Sequence, residues 1–183
     1  GSYKGVLSEN WSIQTGMSYT VANTKVKYQL SDIDDLENSL HTKVKFKRFF
    51  SNRFQLSFGA EYFLTDFKED FSDEILPSYD VGFQKNIGAA YGEFDLFLSK
   101  NLAFKMGLRG EYASLEKRAA LFPRASLAYK VSKFGQVSFA YGDFEQAASN
   151  AYLKFNNELA SAKTQHYIFN YQFNKNGRIL RTE

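Results

Sequence analysis

Apolar and polar residues alternate along most of this chain with a period of two. From Arg53 the even positions read Phe54, Leu56, Phe58, Ala60, Tyr62 and Leu64. The odd positions read Arg53, Gln55, Ser57, Gly59 and Glu61, with Phe63 the exception. One flank is greasy and the other polar for about a dozen residues. That is longer than the roughly five or six of an average soluble strand. It is close to the roughly nine to eleven that a tilted membrane strand needs.

The pattern recurs. Trp11, Ile13, Met17, Tyr19 and Val21 oppose Ser12, Gln14, Ser18 and Thr20. Leu40, Val44 and Phe46 oppose His41, Lys43, Lys45 and Lys47. Leu102, Phe104, Met106, Leu108 and Tyr112 oppose Lys105, Gly107, Arg109 and Glu111. Further rows run through Ala125 to Val131, Val137 to Tyr141 and Tyr167 to Phe173, and the chain ends within a strand at Arg181-Thr182-Glu183. Between Asn86 and Leu98 the alternation is less regular, which predicts a bulge near Tyr91. The sum is an all-β chain. It is an antiparallel up-and-down meander of about nine strands, each paired with its sequence neighbour, forming part of a transmembrane β-barrel.

Turn residues punctuate the strands unevenly. Ser51-Asn52, Lys100-Asn101, Lys133-Phe134-Gly135 and Asn174 to Gly177 read as tight hairpin turns. Longer loops are expected over about Asn23 to Asn38, Asp66 to Phe83, Glu116 to Phe122 and Glu145 to Ala162. The expected long loops are acidic, with Asp32, Asp34, Asp35, Glu37, Asp66, Glu69, Asp70, Asp73 and Glu74. The tight turns are basic, with Lys47, Arg48, Arg53, Lys100, Lys130, Lys133, Lys175 and Arg178.

Composition narrows the function classes. Phe 19, Tyr 12 and Trp 1 give 17% aromatics against only 2 prolines, a mix that suits half-buried strands. Mean hydropathy is nonetheless -0.42, as expected of strands with one apolar and one polar flank. No run approaches the roughly 20 apolar residues of a membrane helix. A net charge of +3 is too small to argue for nucleic acid as a partner. With Cys 0 there is neither a disulfide framework nor thiolate chemistry. Gly1-Ser2 reads as an expression scar, leaving residues 3–183 as a single β-barrel segment.

Several strings carry a family resemblance. Leu121-Phe122-Pro123-Arg124-Ala125-Ser126-Leu127-Ala128-Tyr129 leads through Ser138-Phe139-Ala140-Tyr141-Gly142-Asp143-Phe144 to Ala162-Lys163-Thr164-Gln165-His166-Tyr167 and then Asn176-Gly177-Arg178. Upstream lie Ala89-Ala90-Tyr91-Gly92-Glu93 and Gly107-Leu108-Arg109-Gly110-Glu111-Tyr112. From about Asn86 onward this resembles the later barrel strands of TonB-dependent outer-membrane receptors. The resemblance implies a plugged barrel of about twenty-two strands in the Gram-negative outer membrane. It implies import of a nutrient or metal chelate, with lipid, a plug domain and an energy-coupling protein as partners through the parent chain. The plug and the energy-coupling box do not occur in this sequence, so the resemblance implies a segment inactive in transport alone. Its open strand edges are expected to close into a small barrel or to pair with another copy.

Candidate chemistry is sparse. Glu61, Lys105, Arg109, Glu111 and Arg124 share the polar flank, so in a membrane barrel they face the lumen. There they either pair with one another or meet ligand and plug. His41 and His166 are the only histidines, too few and too isolated for a metal site or a general-base scheme. The carboxylates of Asp66 to Glu74 lack the ligand order of a calcium loop. Ala147-Ala148-Ser149-Asn150-Ala151, followed by Tyr152 and Phe155, reads as a surface loop. No nucleophile–base pair or phosphate loop is present, so the chain is read as no enzyme, with no cofactor and no metal. The rival reading is a soluble lipocalin-like ligand-binding barrel, which would turn Phe54, Leu56, Phe58 and Leu108 inward.

Overall fold

The alternation becomes continuous backbone pairing in the computed structural model, which describes residues 1–75, 77–156, 158–175 and 178–182. The strands are β1 (Ser2–Ser8), β2 (Trp11–Tyr28), β3 (Ser31–Ser51), β4 (Phe54–Asp73), β5 (Tyr79–Phe97), β6 (Leu102–Ala113), β7 (Arg118–Lys130), β8 (Gly135–Gln146), β9 (Ala162–Lys175) and β10 (Arg178–Thr182). They form one 10-stranded antiparallel sheet in sequence order. The sheet is open, with β1 and β10 as its edges, so closure into a small barrel does not occur.

Side-chain direction follows the period of two. Phe46 lies opposite Phe58, Val44 opposite Ala60 and Leu40 opposite Leu64. Met106 lies opposite Ala125, and Phe139 opposite Phe169. These rows form an apolar face exposed from edge to edge: Leu108 is 50% exposed, Leu121 67% and Phe169 63%. A soluble barrel would bury them, so the lipocalin-like reading is overturned. The polar rows share the other face, which is the inner one.

Three expectations need correction. First, the loops expected at residues 23–38, 66–83 and 116–122 are mostly strand. β2 has 18 residues, β3 21, β4 20 and β5 19. β2 and β3 meet at Gln29-Leu30, with Gln29 at φ 54. The apolar row stops near Leu40 and Leu64, but pairing continues through Asp32 and Asp70. Where both faces are wet, hydrophobic alternation vanishes while the hydrogen-bond ladder persists. Cross-strand pairs such as Lys25–Asp34 (2.5 Å) replace it there. Second, β5 keeps its register against both neighbours through Tyr91, so the bulge is absent. Register shifts lie instead at Val6/Ser8 and Phe49/Ser51. Third, residues 147–156 and 158–161 are no plain surface loop, as described below. Ser2 lies within β1, and the Gly1 amine donates to the Met17 carbonyl at 2.6 Å.

The tight turns share a device that the hairpin reading overlooked. Ser51 Oγ accepts from the Arg53 and Phe54 amides at 3.2 and 3.1 Å. Ser99 Oγ accepts from Asn101 and Leu102, both at 3.1 Å. Ser132 Oγ accepts from Phe134 and Gly135 at 3.3 and 2.8 Å. One hydroxyl per turn satisfies two amides that the ladder leaves over. The expected turn at Asn174 to Gly177 reaches Asn176 and Gly177, which lie outside the described residues.

Leu108 lies midway along the apolar row of β6. We expect Leu108→Lys to cost about 2–4 kcal/mol in urea unfolding from lipid vesicles, while Ser126→Lys on the inner face costs under about 1 kcal/mol. Equal costs would show that the apolar face does not meet hydrocarbon.

Candidate functional site on the inner wall

Alternation on β4, β5, β6 and β7 delivers the predicted polar set to one wall. Register places Glu61 across from Ala89, Ala89 across from Glu111, and Arg109 across from Tyr91. Arg109 Nη1 donates to Glu61 Oε2 at 2.8 Å, and Arg109 Nε pairs with Glu111. The guanidinium also faces the Tyr91 ring, 5.9 Å from its centroid. The Tyr91 ring lies over Gly59, where a Cβ would collide with the Val44 carbonyl and approach Tyr91 Oη to 2.7 Å. Glycine there lets the ring lie flat beside the ion triad.

The other two predicted residues stand apart from that triad. Lys105 Nζ binds Glu93 at 3.0 Å and Asp95 at 3.1 Å. Those two carboxylates were missed because β5 seemed irregular. Arg124 makes no ion pair among the described residues. Its guanidinium stacks 4.7 Å from the Phe144 centroid, and Phe144 also contacts His166 at 4.8 Å. Arg124 lines a hollow shared with Lys45, Ser57, Glu61, Tyr91, Glu93 and Arg109. His41 stacks on Phe63 at 4.0 Å, which accounts for an aromatic amid the polar flank of β4. Among the described residues no group of His, Cys, Asp or Glu is arranged to hold a metal.

The second feature is a strap, described at residues 147–156 and 158–161, folded onto the inner wall. It carries one short helix, α1 (Asn150–Leu153), capped by Ser149. Leu153 is only 3% exposed. Ile87, Phe122, Leu153 and Leu159 line the hollow beneath the strap with Lys85 and Glu145. Asn150 Nδ2 donates to Glu37 at 2.9 Å, and Lys85 Nζ donates to Asn150 Oδ1 at 3.2 Å. Lys154 Nζ reaches both oxygens of Glu69, at 2.8 and 2.6 Å. Glu69 is 2% exposed and also accepts from Tyr79 Oη at 3.2 Å. Asp35 sits opposite Glu69 in register, with its Oδ1 buried and unpartnered. Alternation thus divides the expected acidic loop, turning Asp66 and Asp70 out and Glu69 in.

These groups lie beyond the apolar band. Burial pushes the Glu69 carboxyl up, but hydrogen bonds from Lys154 and Asp35 outweigh it and hold the group below the ordinary 4.5. Burial, and then the neighbouring Glu69, raise Asp35 above the ordinary 3.8. Burial also lowers Lys85.

Two outcomes follow. Arg109→Met should destabilise the protein by about 2 kcal/mol, because two carboxylates are left face to face. Adding Glu61→Gln and Glu111→Gln should restore part of that loss; a purely additive series would show no coupling. For Asp35, a raised folded-state pKa means a stabilising contribution complete below 3.8 and lost as pH climbs through the raised value. For Glu69 the contribution is present above 4.5 and lost as pH falls through its depressed value. The pair is therefore strongest in the acid window where Asp35 keeps its proton and Glu69 does not. Asp35→Asn should leave the unfolding midpoint unchanged at about pH 4 and raise it at about pH 8. A uniform shift at both would contradict this assignment.

Comparison with known proteins agrees with the geometry. The family model for the outer membrane protein beta-barrel family matches residues 2–179. No curated relative matches the sequence. The fold is that of solved TonB-dependent receptors. FpvA of P. aeruginosa, solved with heterologous pyoverdines, aligns with TM-score 0.75 and 10% identity, over 97% of this chain and 30% of that one. The copper transporter OprC aligns with TM-score 0.73 and 13% identity, over 96% and 35%. The ferric citrate transporter FecA aligns with TM-score 0.59 and 10% identity, over 94% and 31%. The chain thus spans about a third of the length of these proteins. An apolar outer face, a charged inner wall and the family match place it in the Gram-negative outer membrane. The chain belongs to the outer membrane protein beta-barrel family.

Proposed function

We propose that this chain forms part of the barrel wall of a receptor that imports a nutrient or metal chelate across the outer membrane. The tight turns then face the periplasm and the strap faces outward. The observation that carries this reading is the inner wall itself. Its anions are largely matched, by Arg109, Lys105 and Lys154. Of its remaining strand cations, Lys43, Lys45, Lys47, Lys85 and Arg124 have no ion-pair partner among the described residues. A barrel whose lumen held only water has no use for a row of unmatched cations. Such a row suits an anionic counterpart inside the barrel, either a plug surface or a negatively charged chelate.

In this reading Glu61, Lys105, Arg109, Glu111 and Arg124 divide the work. Glu61, Arg109 and Glu111 brace one another and fix the wall. Arg124, held flat on Phe144, presents its charge to whatever fills the lumen. Lys105 is shared between two carboxylates and sets the local potential. Transport needs more than a wall, so the segment alone does not import. A plug and an energy-coupling protein act through the parent. Isolated copies associate through β1 and β10, whose outer edges carry unmet backbone groups.

The experiment is a growth comparison. A strain lacking the gene is grown with iron chelates, copper or peptides as the single limiting nutrient, and is complemented with wild type or with Lys45→Ala/Arg124→Ala. We expect one nutrient to support growth with wild type and at least about tenfold less uptake with the double variant. Growth indistinguishable with and without the gene on every nutrient would sink the import reading.

A further inference from the structure

Among the contacts between strap and wall is one ammonium group, and the place it reaches is built for one. Glu69 is nine-tenths buried and offers both oxygens to Lys154 Nζ, with Tyr79 Oη holding Oε1 from the side. Asp35 lies against Glu69, and its buried Oδ1 accepts nothing. Glu37 stands next along the inner row of β3 and receives only neutral donors, the Asn150 amide and the Ser39 hydroxyl. Three carboxylates therefore face two cations, Lys154 and Lys85, and Lys85 is bonded to Asn150 instead of to a carboxylate. The notch keeps unused acceptor capacity while already holding a cation. A buried carboxylate set with an unmatched acceptor is costly to maintain for the sake of a surface loop.

We propose that the notch of Asp35, Glu37 and Glu69 is a recognition site for a primary ammonium group, and that Lys154 is its tethered occupant, displaced when an amine-bearing ligand enters. The site is compact. Both Glu69 oxygens converge on a single nitrogen, a geometry that suits a point-charge ammonium better than a planar guanidinium. The tether explains how such a site stays closed without ligand. A short flexible tether gives Lys154 an effective concentration of order millimolar, so a free amine competes only above that level. Entry of an amine would also release Leu153 from its buried seat, because Leu153 ends α1 and Lys154 follows it directly as the cap. The site is thereby coupled to the hollow lined by Phe122 and Ile87.

The test uses the full-length protein in detergent, with cadaverine as the probe. Lys154→Met vacates the notch and keeps the side-chain length. Calorimetric titration should show Lys154→Met binding cadaverine about tenfold more tightly than wild type. Adding Glu69→Gln should abolish that binding, and pentanol, which has no charge, should not bind. A second measurement does not depend on the variant's strap staying docked. In Leu153→Cys, on a chain that otherwise has Cys 0, cadaverine at tens of millimolar should speed maleimide labelling several-fold over potassium chloride of equal ionic strength. Equal labelling in both salts, or cadaverine binding that survives Glu69→Gln, overturns the proposal. Neither readout depends on import, so failure here leaves the transport reading to its own experiment.

Discussion

The whole structure depends on one constraint: within hydrocarbon every backbone amide and carbonyl must find its partner inside the protein. A sheet running in sequence order from β1 to β10 meets it wherever neighbouring strands pair, although β7 and β8 pair only between residues 124–130 and 136–142. Once pairing is obligatory, side chains are assigned by parity alone. A residue one place out of step would put a charge into lipid, so register is held tightly through β4, β5, β6 and β7. The Ser51, Ser99 and Ser132 turns serve the same constraint at the rim, where the ladder ends and amides must be met by a hydroxyl.

Parity has a second consequence. It brings every polar residue of the strands to one wall, where charges that are distant in sequence become neighbours. Arg109 meets Glu61 across 48 positions. Lys154 meets Glu69 across 85. In a half-dry wall such charges must be matched, which is why the Arg109 triad and the Lys105 pair have short, direct contacts. Matching fails at Lys43, Lys45, Lys47, Lys85 and Arg124 among the described residues, and this excess is the ground for the proposed anionic counterpart. Packing also enters: Gly59 exists in a strand rich in Phe because Tyr91 needs its space.

The membrane-spanning portion was legible in the sequence because hydrocarbon writes itself into every second residue. Phe54 to Leu64 and Leu102 to Tyr112 could be placed on a face by parity, and with them the shared face of Glu61, Lys105, Arg109, Glu111 and Arg124. The legibility ended where the hydrocarbon ends. In β3, Asp32 to Glu37 continue the ladder with water on both sides, so their polarity imitated a loop. β5 was misjudged for another reason. Its outward row is Gly88, Ala90 and Gly92, too small to register as apolar, while the bulky Tyr91 points inward. Glu93 and Asp95 were hidden with it. β1 escaped notice because its seven residues are short and mostly exposed.

The strap was illegible for a deeper reason. No periodicity marks 147–161, since its fold is dictated by what it lands on and not by its own pattern. Ala147, Ala148 and Ser149 are small enough to let the chain turn back over the wall, and α1 is too short to hold by propensity. Docking therefore rests on Leu153 filling an apolar seat and on Lys154 meeting a carboxylate already buried in β4. Only with β3, β4 and β5 extended past the membrane do Asp35, Glu37, Glu69 and Tyr79 form a surface to land on. The same feature that defeated the loop assignment, paired strands rising above the lipid, is what makes an inward-folded strap possible.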